Sequence, residues 1–97
     1  MVEKEKSREI RVQIRRILME EWDPIGVSET PEAADEYDLY IGGVYDLLAR
    51  GASKADIFAY LRAVEVDRME MIDASGQPLL ADAKRSAVAS SLHLLWQ

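Results

Sequence analysis

Residues 30–65 read TPEAADEYDLYIGGVYDLLARGASKADIFAYLRAVE, and this stretch decides the fold. Thr30 is a candidate N-cap with Pro31 at the first helical position, and Glu32 and Asp35 follow where the helix dipole favours negative charge. Tyr37, Ile41, Val44, Tyr45 and Leu48 then recur at helical spacing, which predicts a helix over 31–50. Gly51 ends it as the C′ residue. Ser53 and Asp56 have the spacing of a capping box, and Ile57, Leu61, Val64 and Arg68 carry a second stripe, predicting a helix over 54–71. The two helices are joined by two or three residues, so they are expected to form an antiparallel hairpin at the heart of the core. Gly42-Gly43 lies inside the first of them. Each glycine costs about 1 kcal/mol relative to alanine, so the helix is either weakened there or closely approached by a neighbour.

Upstream, residues 4–21 place Ile10, Ile14, Ile17, Leu18 and Glu21 on one helical face and Arg8, Arg11, Arg15 and Arg16 on the other. Asp23-Pro24 stops this helix, because the residue before proline is pushed out of the helical region. Downstream, the polar segment 73–78, with Gly76 and Pro78, predicts a linker. A fourth helix is expected over 79–96, with a stripe of Leu80, Ala83, Ala87, Val88, Leu92 and Leu95. No segment alternates with the period of a half-buried strand. The expected fold is therefore all-α: one domain over 1–97, a compact bundle of about four helices (4–21, 31–50, 54–71 and 79–96), the last of them appended.

The 97 residues include no cysteine, which removes disulfides, thiolate metal sites and a cysteine nucleophile. No apolar run resembles a signal peptide or approaches the length of a membrane span, so a cytoplasmic location and no membrane association are expected. The net charge of −6 is unevenly placed. Residues 1–16 carry six basic and three acidic side chains, whereas residues 20–38 carry eight acidic side chains and no basic one. An acidic surface repels phosphate, so nucleic acid is a disfavoured partner and a basic protein surface a favoured one.

The densest candidate site flanks the connection between the first two helices: Glu20, Glu21, Trp22 and Asp23 on one side, Asp35, Glu36, Tyr37, Asp38 and Tyr40 on the other. On a helix Asp35 and Asp38 share a face. Carboxylates so grouped can solvate a loop, pair with a basic partner or bind a divalent cation, and tryptophan and tyrosine add contact area at low entropy cost. The acids lack the Asp-x-Asp-x-Asp-Gly spacing of a calcium loop, and no metal or other cofactor is expected. His93 is the lone histidine and reads as a surface or capping residue. With no nucleophile elbow or glycine-rich phosphate loop to support it, it makes a poor catalytic candidate. Met19, Met69 and Met71 read as core or rim packing.

The strings EEWDPIGV (20–27), PEAADEYDLY (31–40), LLARGAS (47–53) and AYLRAVE (59–65) resemble a family of small bacterial helical proteins of unestablished function. The resemblance spans about Ile10 to Met71 and implies a bacterial or phage-related origin and a compact helical fold. It brings no activity with it. The segment from Asp73 onward departs from the pattern, which ends near the third helix.

The expected function is a non-enzymatic interaction module of the immunity or antitoxin type, its acidic, aromatic-rich surface binding a basic site on a partner such as a toxin. The alternative is a helical adaptor or regulatory subunit that self-associates as a homodimer through 79–96. A metal-dependent enzyme using the same carboxylates ranks third.

Overall fold

A computed structural model describes residues 4–23 and 34–96. Four helices follow one another: α1 (Lys4–Ile17, continued by a π-helical turn over Leu18–Trp22), α2 (Ala34–Ala49), α3 (Lys54–Ala63, continued by a π-helical turn over Val64–Arg68) and α4 (Asp82–Leu94). The all-α bundle expected from the periodicity is the observed one. Thr30 and Pro31, expected to open the second helix, lie outside the described residues. Its other end conforms: Gly51 has φ +75°, and the amides of Gly51 and Ala52 donate to the carbonyls of Leu48 and Leu47, a Schellman motif. At the start of α3 the Ser53 hydroxyl accepts from the Asp56 amide while the Asp56 carboxylate accepts from the Ser53 amide, so the capping box is complete.

The two π-helical turns account for the main departures from simple periodicity. In each, an amide reaches back five residues instead of four, Asp23 to Leu18 and Met69 to Val64, both at 2.9 Å. Such a turn accommodates one additional residue and rotates the helix beyond it. Ile57, Leu61 and Val64 are buried as expected, but Arg68 is exposed and Glu65 is buried instead. The third helix accordingly ends at Arg68, not Met71. The left-handed backbone of Asp23 (φ 35°) closes the first π-turn, a conformation that aspartate tolerates better than most residues.

α1 pairs chiefly with α2, and α3 with α4; the α2–α3 contact, expected to be the heart of the core, is less extensive. The smallest dimension is 19 Å, about two helix diameters, as for two layers of two helices. Arg15 meets Asp38 and Arg11 lies over Tyr45, four residues back along α1 and seven forward along α2, so these helices run antiparallel. Ile10, Ile14, Ile17, Leu18, Val44, Leu48, Ile57, Leu61, Val64, Val88, Ala89 and Leu92 fill one core cluster. α4 thus covers its own chain. It starts at Asp82 rather than Leu79, and Ala83 and Ala87, placed on its inner stripe by periodicity, face solvent while Arg85 takes the inner position.

The glycine pair of α2 divides into two cases. A Cβ on Gly43 would overlap the hydroxyl and Cζ of Tyr60, so this glycine is the close approach that the sequence allowed for. A Cβ on Gly42 would meet nothing within 4 Å. Gly42→Ala should therefore stabilise the chain by about 0.5–1 kcal/mol in urea denaturation, the helix-interior difference between the two residues. Gly43→Ala should forfeit that gain, and should recover it in a Tyr60→Ala background.

Between α3 and α4 the chain folds back on itself. The Leu79 amide donates to the Met71 carbonyl, the Asp73 amide donates to Gln77, and Ile72 bridges to Pro78. Asp73 Oδ1 accepts from the Ser75 hydroxyl and from the amides of Ser75 and Gln77. These donors, the Ser75 hydroxyl foremost, hold the carboxyl below its ordinary pKa. A carboxyl depressed on folding contributes above its unfolded pKa, and the contribution is lost as the pH falls through the folded value. The amide resonances of Ser75 and Gln77 should therefore titrate together at a pH below the ordinary aspartate range. Asp73→Ala should abolish that titration.

Candidate functional site

The nine residues singled out around the first connection divide into a buried group and an exposed group. Trp22, closing the π-turn of α1, is 0% exposed, and so is Tyr37 in the first turns of α2; their rings tilt against each other at 5.7 Å. Tyr40 is buried nearly as well. The expected aromatic surface is thus corrected: apolar rings of this size gain more from the core than from water, and the helix phase that buries Val44 and Leu48 also turns Tyr37 and Tyr40 inward. Asp23 accepts a 2.6 Å hydrogen bond from the Tyr37 hydroxyl. Glu21 is half-buried and accepts from Ser91 of α4 at 2.8 Å.

Glu20, Asp35 and Asp38 are exposed and Glu36 is half-exposed. Two of them are paired within the chain, Glu20 with Arg16 and Asp38 with Arg15. Two of the α1 arginines reach α2: Arg15 pairs with Asp38, and Arg11 stacks on Tyr45, whose ring also meets Trp96 edge-on at 5.4 Å.

Sequence reasoning missed the polar centre of the molecule. The Trp22 indole N–H donates to Glu65 Oε2 at 2.8 Å, and Arg85 holds the same carboxylate with Nε to Oε2 at 2.9 Å and Nη2 to Oε1 at 2.6 Å. Arg85 also donates to Asp82 and to the Leu80 carbonyl, and its guanidinium lies over the Phe58 ring. Glu65, Arg85 and Trp22 are all 0% exposed. The hydrogen bonds to Glu65 raise the Arg85 pKa, with burial acting against them, so the guanidinium stays charged. A signal existed in part: Arg85, Val88, Ala89 and Leu92 fall at helical spacing, placing one charge within an apolar stripe. Glu65 lies four residues after Leu61, at the margin of the α3 stripe, where a carboxylate reads as the edge of the solvent face.

This network is enclosed and offers no surface. An open groove of about 430 Å³ lies between α2 and α3, lined by Leu39, Tyr40, Gly43, Tyr60, Asp67 and Arg68 among others, and a concavity of about 440 Å³ on α1 is lined by Val12, Arg15, Arg16, Met19 and Glu20. The size of the α2–α3 groove falls within the range of binding clefts. The close fit of Tyr60 over Gly43 forms its floor, and Leu39, 73% exposed, stands on its wall. Burial, then the nearby Glu36 carboxylate, raises the Tyr40 phenol pKa, and Arg68 opposes them; burial likewise raises Tyr60. Both hydroxyls are therefore neutral, able to donate and to accept. The groove thus takes Tyr40 from the expected set, with the Glu36 carboxylate near its phenol, and adds Tyr60 and Asp67, which the sequence did not mark.

His93 is half-buried rather than superficial, and its Nδ1 is enclosed without a hydrogen-bond partner, beside a pocket of about 50 Å³ lined by Leu48, Gly51, Ala52 and Trp96. Met19 and Met69 pack against the core as expected, whereas Met71 lies beyond the end of the third helix, half-buried and outside the core cluster. Among the described residues, no cluster of histidine and carboxylates is arranged to hold a metal ion, and no helix is long and apolar enough to cross a membrane. Comparison with protein-family models, with curated proteins and with solved structures finds no match for the chain.

Proposed function

We propose that the chain is a non-enzymatic protein-interaction module of the immunity or antitoxin type, which receives a basic segment of a partner protein along the acidic start of α2 and the adjoining α2–α3 groove. Leu39 carries this reading. It is the most exposed large apolar side chain described, and it stands between the carboxylates of Asp35, Glu36 and Asp38 and a groove floored by two tyrosines. An apolar contact beside the carboxylates of Asp35, Glu36 and Asp67 suits a lysine or arginine side chain, whose stem packs while its head pairs. Self-association through 79–96 has less support, because α4 commits Val88, Ala89 and Leu92 to its own core.

The immobilised full chain should retain a basic protein from a lysate of its source organism, and salt should release that protein, because raising ionic strength to about 1 M cuts the screening length to about 3 Å. Glu36→Lys with Asp67→Lys should abolish retention while leaving the helical circular dichroism intact. Retention indifferent to both salt and charge reversal would overturn the reading.

A further inference from the structure

The outer faces of α1 and α2 carry two stripes of equal spacing and opposite character. On α1 these are Arg8, Val12, Arg15 and Met19; on α2, Asp35, Leu39, Gly42 and Asp46. In both, successive members are four, three and four residues apart, which keeps each set on one side of its helix. Val12 is 59% exposed and Leu39 73%, large values for apolar residues in the middle of helices. Neither Arg8 nor Asp46 makes an ion pair within the described residues. Gly42 adds an independent observation: it lowers helix stability, and among the described residues nothing lies within 4 Å of its Cβ position.

We infer that this face pairs with the same face of a second copy of the chain about a two-fold axis running parallel to α1 and α2. Because the two helices lie side by side and antiparallel, such an axis lays α1 of one copy over α2 of the other, in both directions at once. The intramolecular pairs Arg15–Asp38 and Arg11–Tyr45 fix which residues share a level. At those levels Val12 falls on Gly42 of the second copy, Arg8 on Asp46 and Met19 beside Leu39 and Asp35. The bare glycine surface admits the valine where a larger residue would hold the helices apart, and the unpaired arginine and aspartate meet at the end of the contact. A face with adjacent stripes of opposite charge is self-complementary under this operation, as an isologous interface requires. The dimer face shares Leu39 and Asp35 with the surface proposed for a partner, and the two readings are separated by their tests, because Arg8 and Asp46 lie outside the groove and Glu36 and Asp67 outside the two stripes.

Light scattering and sedimentation equilibrium of the full chain over a concentration series test it. At low salt the mass should approach twice 11.0 kDa. Arg8→Asp and Asp46→Arg should each weaken the dimer by at least about tenfold, the scale of a lost charge pair, and the double exchange R8D/D46R should restore it. Gly42→Ala should weaken the dimer while raising the melting temperature at concentrations where the chain is monomeric, a combination that a folding defect cannot produce. A chain monomeric at all concentrations would overturn the inference. So would a dimer indifferent to the single charge changes, or one that the double exchange fails to restore.

Discussion

Arg85→Ala should destabilise the chain by about 3–5 kcal/mol, because it leaves the Glu65 carboxylate at the centre of the protein with the Trp22 indole as its remaining side-chain donor. A domain of this size is stable by only about 5–15 kcal/mol, so urea denaturation should show the loss as a large fall in midpoint. Glu65→Ala should cost a comparable amount, since the guanidinium would keep only Asp82 and the Leu80 carbonyl. The informative comparison is E65M/R85M. Removing both charges also removes both desolvation costs, and a well-packed apolar pair of similar volume is often neutral or stabilising. If the double variant were as unstable as either single one, the pair would be contributing more than the mutual neutralisation of two buried charges.

Trp22→Ala is the second large effect, expected at about 3–5 kcal/mol from lost transfer energy and the cavity left beside Tyr37. Trp22→Phe separates two components of that loss. It keeps most of the ring and removes the indole N–H, while Glu65 Oε2 still receives Arg85 Nε. Its cost should be about 0.5–1.5 kcal/mol, the net value of one hydrogen bond, with a modest addition from the smaller ring. Thermal denaturation of both variants gives the comparison. A Phe variant as unstable as the Ala variant would mean that the indole N–H, rather than the volume of the ring, holds the end of α1 in place.

Arg85 and Trp22 differ in how far their roles are legible in the sequence. Trp22 is visible there, but as a surface anchor; its aromatic character marks it as important without indicating a direction. Of the acids in the candidate set, Glu20, Asp35 and Asp38 are exposed, while Glu21 and Asp23 are half-buried and hydrogen-bonded to Ser91 and Tyr37. Tyr60, Gly43 and Asp67 become part of the groove only once α2 and α3 are side by side, because no local pattern links residues from separate helices.

Legible in the linear sequence are the local features: the number and order of the helices, the Schellman end at Gly51, the capping box at Ser53 and the composition of most of the core. Each depends on hydrogen bonds and side-chain spacing within a few residues, and these are legible in a linear pattern. Tertiary structure alone decided which way Trp22 and Tyr37 point, why Gly43 is a glycine and that Glu65 rather than Arg68 is buried. Two π-turns shift the helical phase without any mark in the 3.6-residue repeat. A buried carboxylate, moreover, is tolerable only where Arg85, twenty residues away in sequence, reaches it from another helix. Desolvation is a property of the assembled core, and so the polar centre of this protein could be recognised only after its partners had met.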